Sequence, residues 1–513
     1  MKEKGFLKSS IIVTLLTIIS RFSGLFKEMI IASKYGSNFT SDIYVFTFSL
    51  TTLMTYCIGE AFNAMIVPGI SRLVKKNDET KKKEFVNNIL SFSIIIGLLL
   101  SIFGLIFSEH IINILGSGFK SYSYSEYILS IKLVRIIFVS FVFIAIQNVI
   151  ISVLQAHNIY SSSAINTFIG NFISILYVFI CGNKFQGTGL IFSIVIGYII
   201  QTLINIPKFI RLGYNFKFSI NLKYYKYIFK IIMPIIVGKS VYEINIMVDK
   251  ALSSKVGQGA LSYMNYSNKV NSLIYSLIAY SLILIIFTDI SKLYTENLNV
   301  YKRVINISIK GINFITIPLS FFISKFSYSI IEILFQRGSF VSSDTEITAR
   351  LLVLMNVGLT SLCLRELLTK CFYSINDTKT PMINGSIGVL INIILNFILY
   401  YFIGLSGIAL ATSISMIITT VVMIYIFNKI IDIEIGNILK ETIKYIIISI
   451  VANFIVSKTY NIFSLNIIIN LFINAMIYLI VYIVLSLVSK VDIYKELFEL
   501  AKINKNDRRK NSV

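Results

Sequence analysis

The sequence predicts an all-α polytopic membrane protein with about fourteen transmembrane helices, and three observations lead to this prediction. First, the 513 residues are 56% hydrophobic and only 14% charged, whereas about 25% of the residues in soluble domains are charged. Second, apolar stretches long enough to span a bilayer, about 20 residues each, recur along the whole chain. Third, lysines and arginines concentrate in alternate loops, which is typical of membrane proteins with a fixed orientation.

The apolar stretches give the predicted helices in chain order. Fourteen are predicted, at residues 9–33, 42–70, 85–108, 126–154, 162–182, 188–210, 228–252, 260–288, 304–325, 344–371, 381–402, 406–429, 441–458 and 464–488. If the N-terminus lies in the cytoplasm, the loops on that side carry most of the lysines and arginines. A miscounted helix would invert this bias downstream, so the pattern also predicts that both termini are cytoplasmic.

The charge and the cysteines exclude several classes of protein. The net charge of +22 is spread over short loops, which fits an anionic cytoplasmic leaflet and argues against nucleic acid as a partner. The 4 cysteines fall in apolar segments and lack the spacing of a metal site or a disulfide framework. The sequence contains no phosphate-binding loop, zinc spacing or nucleophile elbow. We therefore expect neither an enzyme nor a cofactor.

An internal repeat relates the two halves of the chain. AHNIYSSSAINTFIGNFISIL, from Ala156, aligns without a gap with SINDTKTPMINGSIGVLINII, from Ser374, at an offset of 218. ASKYG, at 32–36, aligns with SSKVG, at 253–257, at an offset of 221. The two offsets nearly agree, so we expect a parallel duplication of six-helix bundles. Paired repeats around a central site are typical of transport by alternating access.

The duplication predicts four regions. These are an N-terminal lobe of helices 1–6 at 1–215, a C-terminal lobe of helices 7–12 at 216–432, two added helices at 433–490 and a basic cytoplasmic tail at 491–513.

Charged residues inside predicted spans are the main candidates for a binding site. An ionisable group at membrane depth costs about 3 kcal/mol or more, so it normally faces a bundle interior or a wet cavity. Arg21 lies near the middle of the first helix, and Lys27 lies near its far end, from which a lysine can also snorkel to the interface. Lys269 lies in the eighth helix. Together these three cations predict a centre that binds a diphosphate.

Lys269 also has a structural interpretation. It could instead pair with Asp249 or Asp289 and only fix the packing of helices. Lys239 and Glu243 are further charged residues within a predicted span.

A cation site is the second candidate. Asn392, Asn396 and Thr412 could face Asp249 across the second lobe and offer oxygen ligands to sodium. Asparagines within spans more often join helices through hydrogen bonds, and that alternative stays open here.

Five motifs resemble those of the MurJ (MviN) lipid II flippase family, in the same order. SRFSGLFKEMIIASKYG followed by SDIYVF resembles the signature of its first helix. The other four are VDKALSSKVGQGALSYMNYSNKV from Val248, LFQRGSF from Leu334, FYSINDTKTP from Phe372 and GLSGIALATSIS from Gly404. The resemblance covers the chain from Ser20 to about Ser415.

The resemblance implies a fold and an activity. The fold is that of the multidrug/oligosaccharidyl-lipid/polysaccharide exporters, in which two lobes enclose a cavity and the last two helices form a groove for a lipid tail. The activity is movement of an undecaprenyl-diphosphate-linked peptidoglycan precursor, lipid II, from the inner to the outer leaflet of the bacterial cytoplasmic membrane. Membrane lipids and the cell-wall synthesis machinery are the further partners implied. Sodium or the membrane potential would provide the driving force.

The resemblance also implies roles for particular residues. Arg21, Lys27 and Lys269 match basic positions tied to substrate, and Asp42 matches the acid that opens helix 2. The family's helix 2 arginine has no counterpart at 54–56, where the sequence reads Met-Thr-Tyr. Where sodium-coupled relatives place two acids, Asp249 matches and Asn396 does not.

These departures keep other functions open. One is a flippase for another undecaprenyl-linked glycan, such as a capsule or teichoic-type precursor. Another is a scaffold of the cell-wall machinery that does not transport. A drug/cation antiporter shares the fold, but a cationic cavity would repel cationic drugs.

Overall fold

The structure, a computed structural model, describes residues 2–75, 78–219, 221–459 and 466–496. This part of the chain consists of α-helices joined by short turns, with one 3-10 helix at Ser117–Ser121 and no strand. The helices are α1 (Lys2–Tyr35), α2 (Phe39–Lys75), α3 (Glu79–Leu115), α4 (Tyr124–Ala156), α5 (Ser161–Arg211), α6 (Leu222–Val256), α7 (Ala260–Glu296), α8 (Leu298–Phe335), α9 (Ser342–Asn356), α10 (Leu359–Ser374), α11 (Lys379–Ile403), α12 (Leu405–Ile431), α13 (Ile435–Thr459) and α14 (Ile467–Val488).

The predicted membrane architecture is confirmed, with one segment divided differently. Within the described residues, 11 helical stretches are long and apolar enough to cross a bilayer. The fifth and sixth predicted spans are the two arms of α5, Ser161–Gly182 and Gly187–Arg211. The arms lie side by side, because Oγ of Ser193 donates to Oγ of Ser174 at 3.4 Å and the side-chain amide of Asn205 donates to the side-chain oxygen of Asn166 at 2.7 Å, distances that a straight helix rising about 1.5 Å per residue does not allow. The tenth span is interrupted between α9 and α10, where the N–H of Gly358 donates to Oγ of Ser413 at 3.2 Å. Most of the predicted basic tail lies outside the described residues.

Matched positions of the two repeats have similar backbone conformations. Asn158 follows α4 with a φ of 62°, and Asn376 follows α10 with a φ of 61°. Both residues adopt the left-handed conformation that ends a helix and that asparagine tolerates well. Gly36 and Gly257, the matched glycines after α1 and α6, also have positive φ. The two asparagines therefore end equivalent helices of the two repeats in the same way.

Helix contacts recur at the same offset as well. A Cβ atom added to Gly170 would overlap the side chain of Gln201, and one added to Gly388 would crowd the side chain of Thr419. Each member of the second pair lies 218 residues after its counterpart in the first. The duplication therefore preserves the close approach of two helices in both repeats.

The helices pack as two compact units. The first unit comprises Met1–Asn265 and Arg337–Asp344, and the second comprises Tyr266–Gln336 and Thr345–Val513. Helix α6 belongs to the first unit because it packs against α2 and α3, although the repeat places it at the start of the second lobe. The predicted lobe boundary between 215 and 216 stays a prediction.

The last helix of the second unit, α14, is attached to α8 at Pro318. Pro318 has no N–H, so the carbonyl of Phe314, one turn earlier, lacks its usual helical donor. The hydroxyl of Tyr482 donates to that carbonyl at 3.0 Å, and the hydroxyl of Tyr478 donates to the carbonyl of Pro318 at 2.9 Å. Because an unpaired carbonyl is costly in an apolar setting, these two tyrosines attach α14 to α8.

One glycine of the first unit lies against backbone. A Cβ atom at Gly118 would overlap the carbonyl group of Ser254 on α6, and backbone cannot rotate away as a side chain can. We expect Gly118→Ala to reduce sharply the yield of monodisperse protein, measured by fluorescence-detected size-exclusion chromatography of a fusion. Gly385→Ala is the matched control, because no atom lies within 4 Å of the added methyl group. Equal yields of the two variants would contradict the prediction.

Candidate functional site

The two cations of α1 have different surroundings. The side chain of Arg21 is exposed, whereas Lys27 is only 2% exposed. The ammonium nitrogen of Lys27 lies 3.4 Å from a carboxylate oxygen of Glu28 and 4.2 Å from the ring centroid of Phe48. A buried ammonium is tolerated when a carboxylate and an aromatic face surround it. Arg21 is therefore the α1 cation that a ligand can reach in this conformation.

Glu28 is a member of this cluster that sequence reasoning did not assign to the site. It is buried, and the hydroxyl of Tyr44 donates to one of its oxygens at 3.4 Å. The side-chain amide of Asn265 donates to the other at 3.0 Å. The adjacent Lys27 was a local signal for it, because a buried cation within a span requires a counter-ion.

Asp42 is fully buried and bound by several donors. Its carboxylate accepts the N–H of Gly259 at 2.6 Å, the N–H of Ser262 at 2.9 Å and the hydroxyl of Ser262 at 2.7 Å. Gly259 and Ser262 lie at the start of α7, where an acid stabilises the exposed N–H groups and the positive end of the helix dipole.

A tyrosine completes the group around Asp42. The hydroxyl of Tyr122 donates to the second oxygen of Asp42 at 2.9 Å. Tyr122 lies in the turn before α4, and burial, followed by the charge of Asp42, raises the pKa of its hydroxyl. The hydroxyl therefore keeps its proton and acts as a donor. In this conformation both oxygens of Asp42 are engaged by the protein, and the predicted contact with substrate stays a prediction.

No basic residue stands at 54–56, where the resemblance implies the helix 2 cation. Met54 is buried, and Tyr56 is 55% exposed. The hydroxyl of Tyr56 interacts electrostatically with Arg21, Glu60 and Glu243. The position therefore belongs to the polar surroundings of Arg21, although α2 supplies no basic side chain there.

Lys269 lies on α7 within the second unit, and its side chain is half-buried. It forms no ion pair with a described side chain. Of its alternative partners, Asp249 belongs to the first unit, and the side chain of Asp289 lies outside the described part of the structure. The predicted role of Lys269 with Arg21 and Lys27 stays a prediction.

Three of the four predicted sodium ligands are neighbours within the second unit. The side-chain amide of Asn396 donates to the side-chain oxygen of Asn392 at 3.0 Å, and the side-chain amide of Asn392 donates to the hydroxyl of Thr412 at 3.5 Å. These bonds join side chains of α11 and α12. Asp249 belongs to the first unit. Among the described residues, no three histidines, cysteines or acids are grouped as metal ligands usually are, so sodium binding here stays a prediction.

Comparison with known proteins gives a consistent result. The model of the family described as lipid II flippase MurJ matches residues 31–486. A protein named lipid II flippase MurJ from Thermosipho africanus is 30% identical over 418 residues, which are 81% of this chain and 85% of that protein. A protein named probable lipid II flippase MurJ from Buchnera aphidicola is 28% identical over 418 residues, 80% of this chain and 81% of that protein.

Solved structures agree with the family match. A structure titled lipid II flippase MurJ, inward closed conformation, superposes with a TM-score of 0.82 and 27% identity, and the match covers 94% of this chain and 100% of that one. An inward-facing structure of a multidrug resistance MATE family transporter, titled as a member of the MOP superfamily, superposes with a TM-score of 0.67 over 82% of this chain and 98% of its own. Its 14% identity supports the fold alone.

Proposed function

The chain belongs to the lipid II flippase MurJ family, and we propose on this premise that it moves lipid II from the inner to the outer leaflet of the bacterial cytoplasmic membrane. The observation that carries the proposal is the family match, which extends over residues 31–486 and so includes both repeats. The charged cluster within α1 supports it, because a flippase for a diphosphate-linked lipid must offer cations at membrane depth.

The headgroup and the lipid tail of the substrate bind at different places. The exposed guanidinium of Arg21 binds a phosphate group through charge-assisted hydrogen bonds, for which its planar fork is well suited. The undecaprenyl chain remains in lipid, along the groove predicted at helices 13 and 14. Lys27 remains paired with Glu28 until the cluster rearranges.

The hydrogen bonds around Asp42 are proposed to form in one state of the transport cycle and to break in another. Alternating access requires contacts that are specific in one state and broken in another. Asp42 joins the start of α2 to the start of α7 and, through Tyr122, to the turn before α4. A few polar bonds of this kind can exchange partners more readily than a packed apolar core.

The basic loops indicate the orientation of the protein in the membrane. It is a multi-pass membrane protein, and we propose that both termini lie in the cytoplasm because of the distribution of basic loops. We propose that it is a transporter without catalytic chemistry. Sodium or the membrane potential would drive it, and cell-wall synthesis enzymes would be its neighbours in the membrane.

A second candidate function is favoured by one observation. No basic residue stands at 54–56 on α2, where the resemblance implied one, and such a change could accompany a different headgroup. The candidate is a flippase for another undecaprenyl-linked glycan, such as a capsule or teichoic-type precursor.

Reconstitution of the purified chain in liposomes tests these functions. We expect the protein to accelerate leaflet exchange of labelled lipid II relative to protein-free liposomes, and Lys269→Ala to slow it at equal protein content. Exchange of another undecaprenyl-linked glycan, but not of lipid II, would favour the second candidate. No acceleration of either lipid would leave the scaffold interpretation and reject transport. Repeating the assay with and without a sodium gradient or an imposed potential identifies the driving force.

A further inference from the structure

A half-exposed ion pair lies within the membrane span of the first unit. The ammonium nitrogen of Lys239, on α6, lies 3.4 Å from a carboxylate oxygen of Glu60, on α2. The two side chains are 54% and 51% exposed. Both residues lie well inside apolar spans, at Tyr224–Val256 and Phe39–Val74. A charged side chain at this depth has an unfavourable free energy when it faces hydrocarbon. The exposed sides of the two residues therefore face a polar, water-accessible space.

This ion pair contributes little to holding the fold together. An ion pair that remains solvated contributes only about 0–1 kcal/mol. It differs in this respect from Lys27 and Glu28, whose side chains are both 3% exposed and therefore depend on each other. The charge of Lys239 is thus available for exchange with a competing anion.

Lys239 and Arg21 share polar neighbours. The hydroxyl of Tyr56 interacts electrostatically with Arg21 on α1 and with Glu60, the partner of Lys239. Tyr56 and Glu60 are four residues apart on α2, so they lie on one face of that helix. Glu60 thus connects the surroundings of the two cations, which lie on different helices of the same unit.

A second contact joins α2 and α6 beside the ion pair. The thiol of Cys57 lies 3.5 Å from the hydroxyl of Ser240, the residue after Lys239. This contact keeps the two helix faces adjacent independently of the charges. Loss of the ion pair alone should therefore leave the helix packing in place.

We propose that Lys239 is a further phosphate-binding residue of the substrate site and that Glu60 is a counter-ion which the lipid-linked diphosphate displaces. The inference rests on the proposed function and deepens it, because it names a cation supplied by α6 where α2 has Tyr56. The diphosphate accepts charge-assisted hydrogen bonds from Lys239 in place of the carboxylate. Glu60 then becomes an unfavourable neighbour of the bound anion.

The two partners are therefore predicted to have opposite effects on binding. Lys239→Gln should weaken binding of undecaprenyl diphosphate to the purified full chain by about tenfold, the scale of one charge-assisted hydrogen bond. Lys239→Arg should bind nearly as the parent protein does. Glu60→Gln should tighten binding by about threefold or more, since it removes both the competing counter-ion and its repulsion.

The measurement is microscale thermophoresis of detergent-purified protein titrated with undecaprenyl diphosphate. Lys230→Gln is the control, because it removes the same charge from an exposed lysine of the same helix. If Lys239 and Glu60 form only a structural pair, Lys239→Gln and Glu60→Gln will change binding in the same direction or leave it unchanged, and the inference is then wrong.

Failure of this inference can be distinguished from failure of the proposed function. The parent protein is assayed beside the variants for leaflet exchange of lipid II in liposomes. If it exchanges lipid II but the two variants do not diverge in binding, only the role of Lys239 is rejected. If it neither binds undecaprenyl diphosphate nor exchanges lipid II, the proposed function is rejected together with the role of Lys239.

Discussion

Arg21→Ala is expected to abolish growth of a flippase-depleted bacterial strain that depends on this protein, while the protein remains at its normal level in the membrane. Arg21 is exposed although it lies within the first helix. Loss of its phosphate contacts would remove about 1.5–3 kcal/mol for each charge-assisted hydrogen bond, which is enough to slow transport by one to two orders of magnitude. The measurement is complementation together with immunoblotting of the membrane fraction.

Two further variants make this test specific. Arg21→Lys keeps the charge but loses the planar fork, so we expect partial growth. Arg72→Ala removes a charge from an exposed arginine near the end of α2, and we expect growth equal to that of the parent. Normal growth of Arg21→Ala would show that this cation is dispensable for substrate binding.

Asp42→Ala is expected to lower the thermal stability of the purified protein and to abolish exchange of lipid II in liposomes. The substitution removes the acceptor of the N–H groups of Gly259 and Ser262 and of the hydroxyl of Ser262. The hydroxyl of Tyr122 keeps a second acceptor, the carbonyl of Gly257, at 3.1 Å. Each buried donor left unpaired costs about 1–3 kcal/mol. We expect a fall of several degrees in the unfolding midpoint, measured by differential scanning fluorimetry with a thiol-reactive dye.

Two further variants distinguish the role of the charge of Asp42 from the general effect of losing a helix cap. They are Asp42→Asn and Asp78→Ala. Asp42→Asn retains one acceptor oxygen but presents an amide to the remaining donors, so we expect an intermediate midpoint and little exchange. Asp78 caps α3 by accepting the N–H of Lys81 at 3.1 Å, but it lies near the surface. Asp78→Ala should therefore leave lipid exchange unchanged. An unchanged midpoint for Asp42→Ala would contradict the structural role of these hydrogen bonds.

Much of the fold could be predicted because it depends on local, additive properties. The apolar segments give the spans, since each must satisfy its own backbone within the bilayer. The tenth span differs from the prediction, because its helix is interrupted at Gly358. This difference is a helix break, which the length of an apolar segment does not reveal.

The candidate site could be predicted only in part. Arg21, Lys27 and Asp42 stand out because charges within spans are rare. Their partners do not stand out: Gly259 and Ser262 lie 217 and 220 residues after Asp42. Glu60 and Lys239 are separated by a similar distance along the chain, and no periodicity of either helix pairs them.

The sequence by itself determined that this chain is a multi-pass helical membrane protein, built by duplication and carrying cations at membrane depth. Hydropathy, loop charge and repeated motifs are properties of single segments, so they can be read without knowing which segments meet. Tertiary structure alone decided that Lys27 is neutralised while Arg21 is exposed. It also decided that Asp42 caps α7 and that α6 supplies a cation beside α2. These outcomes depend on which helix faces pack together, and that is determined by the whole set of packing contacts at once.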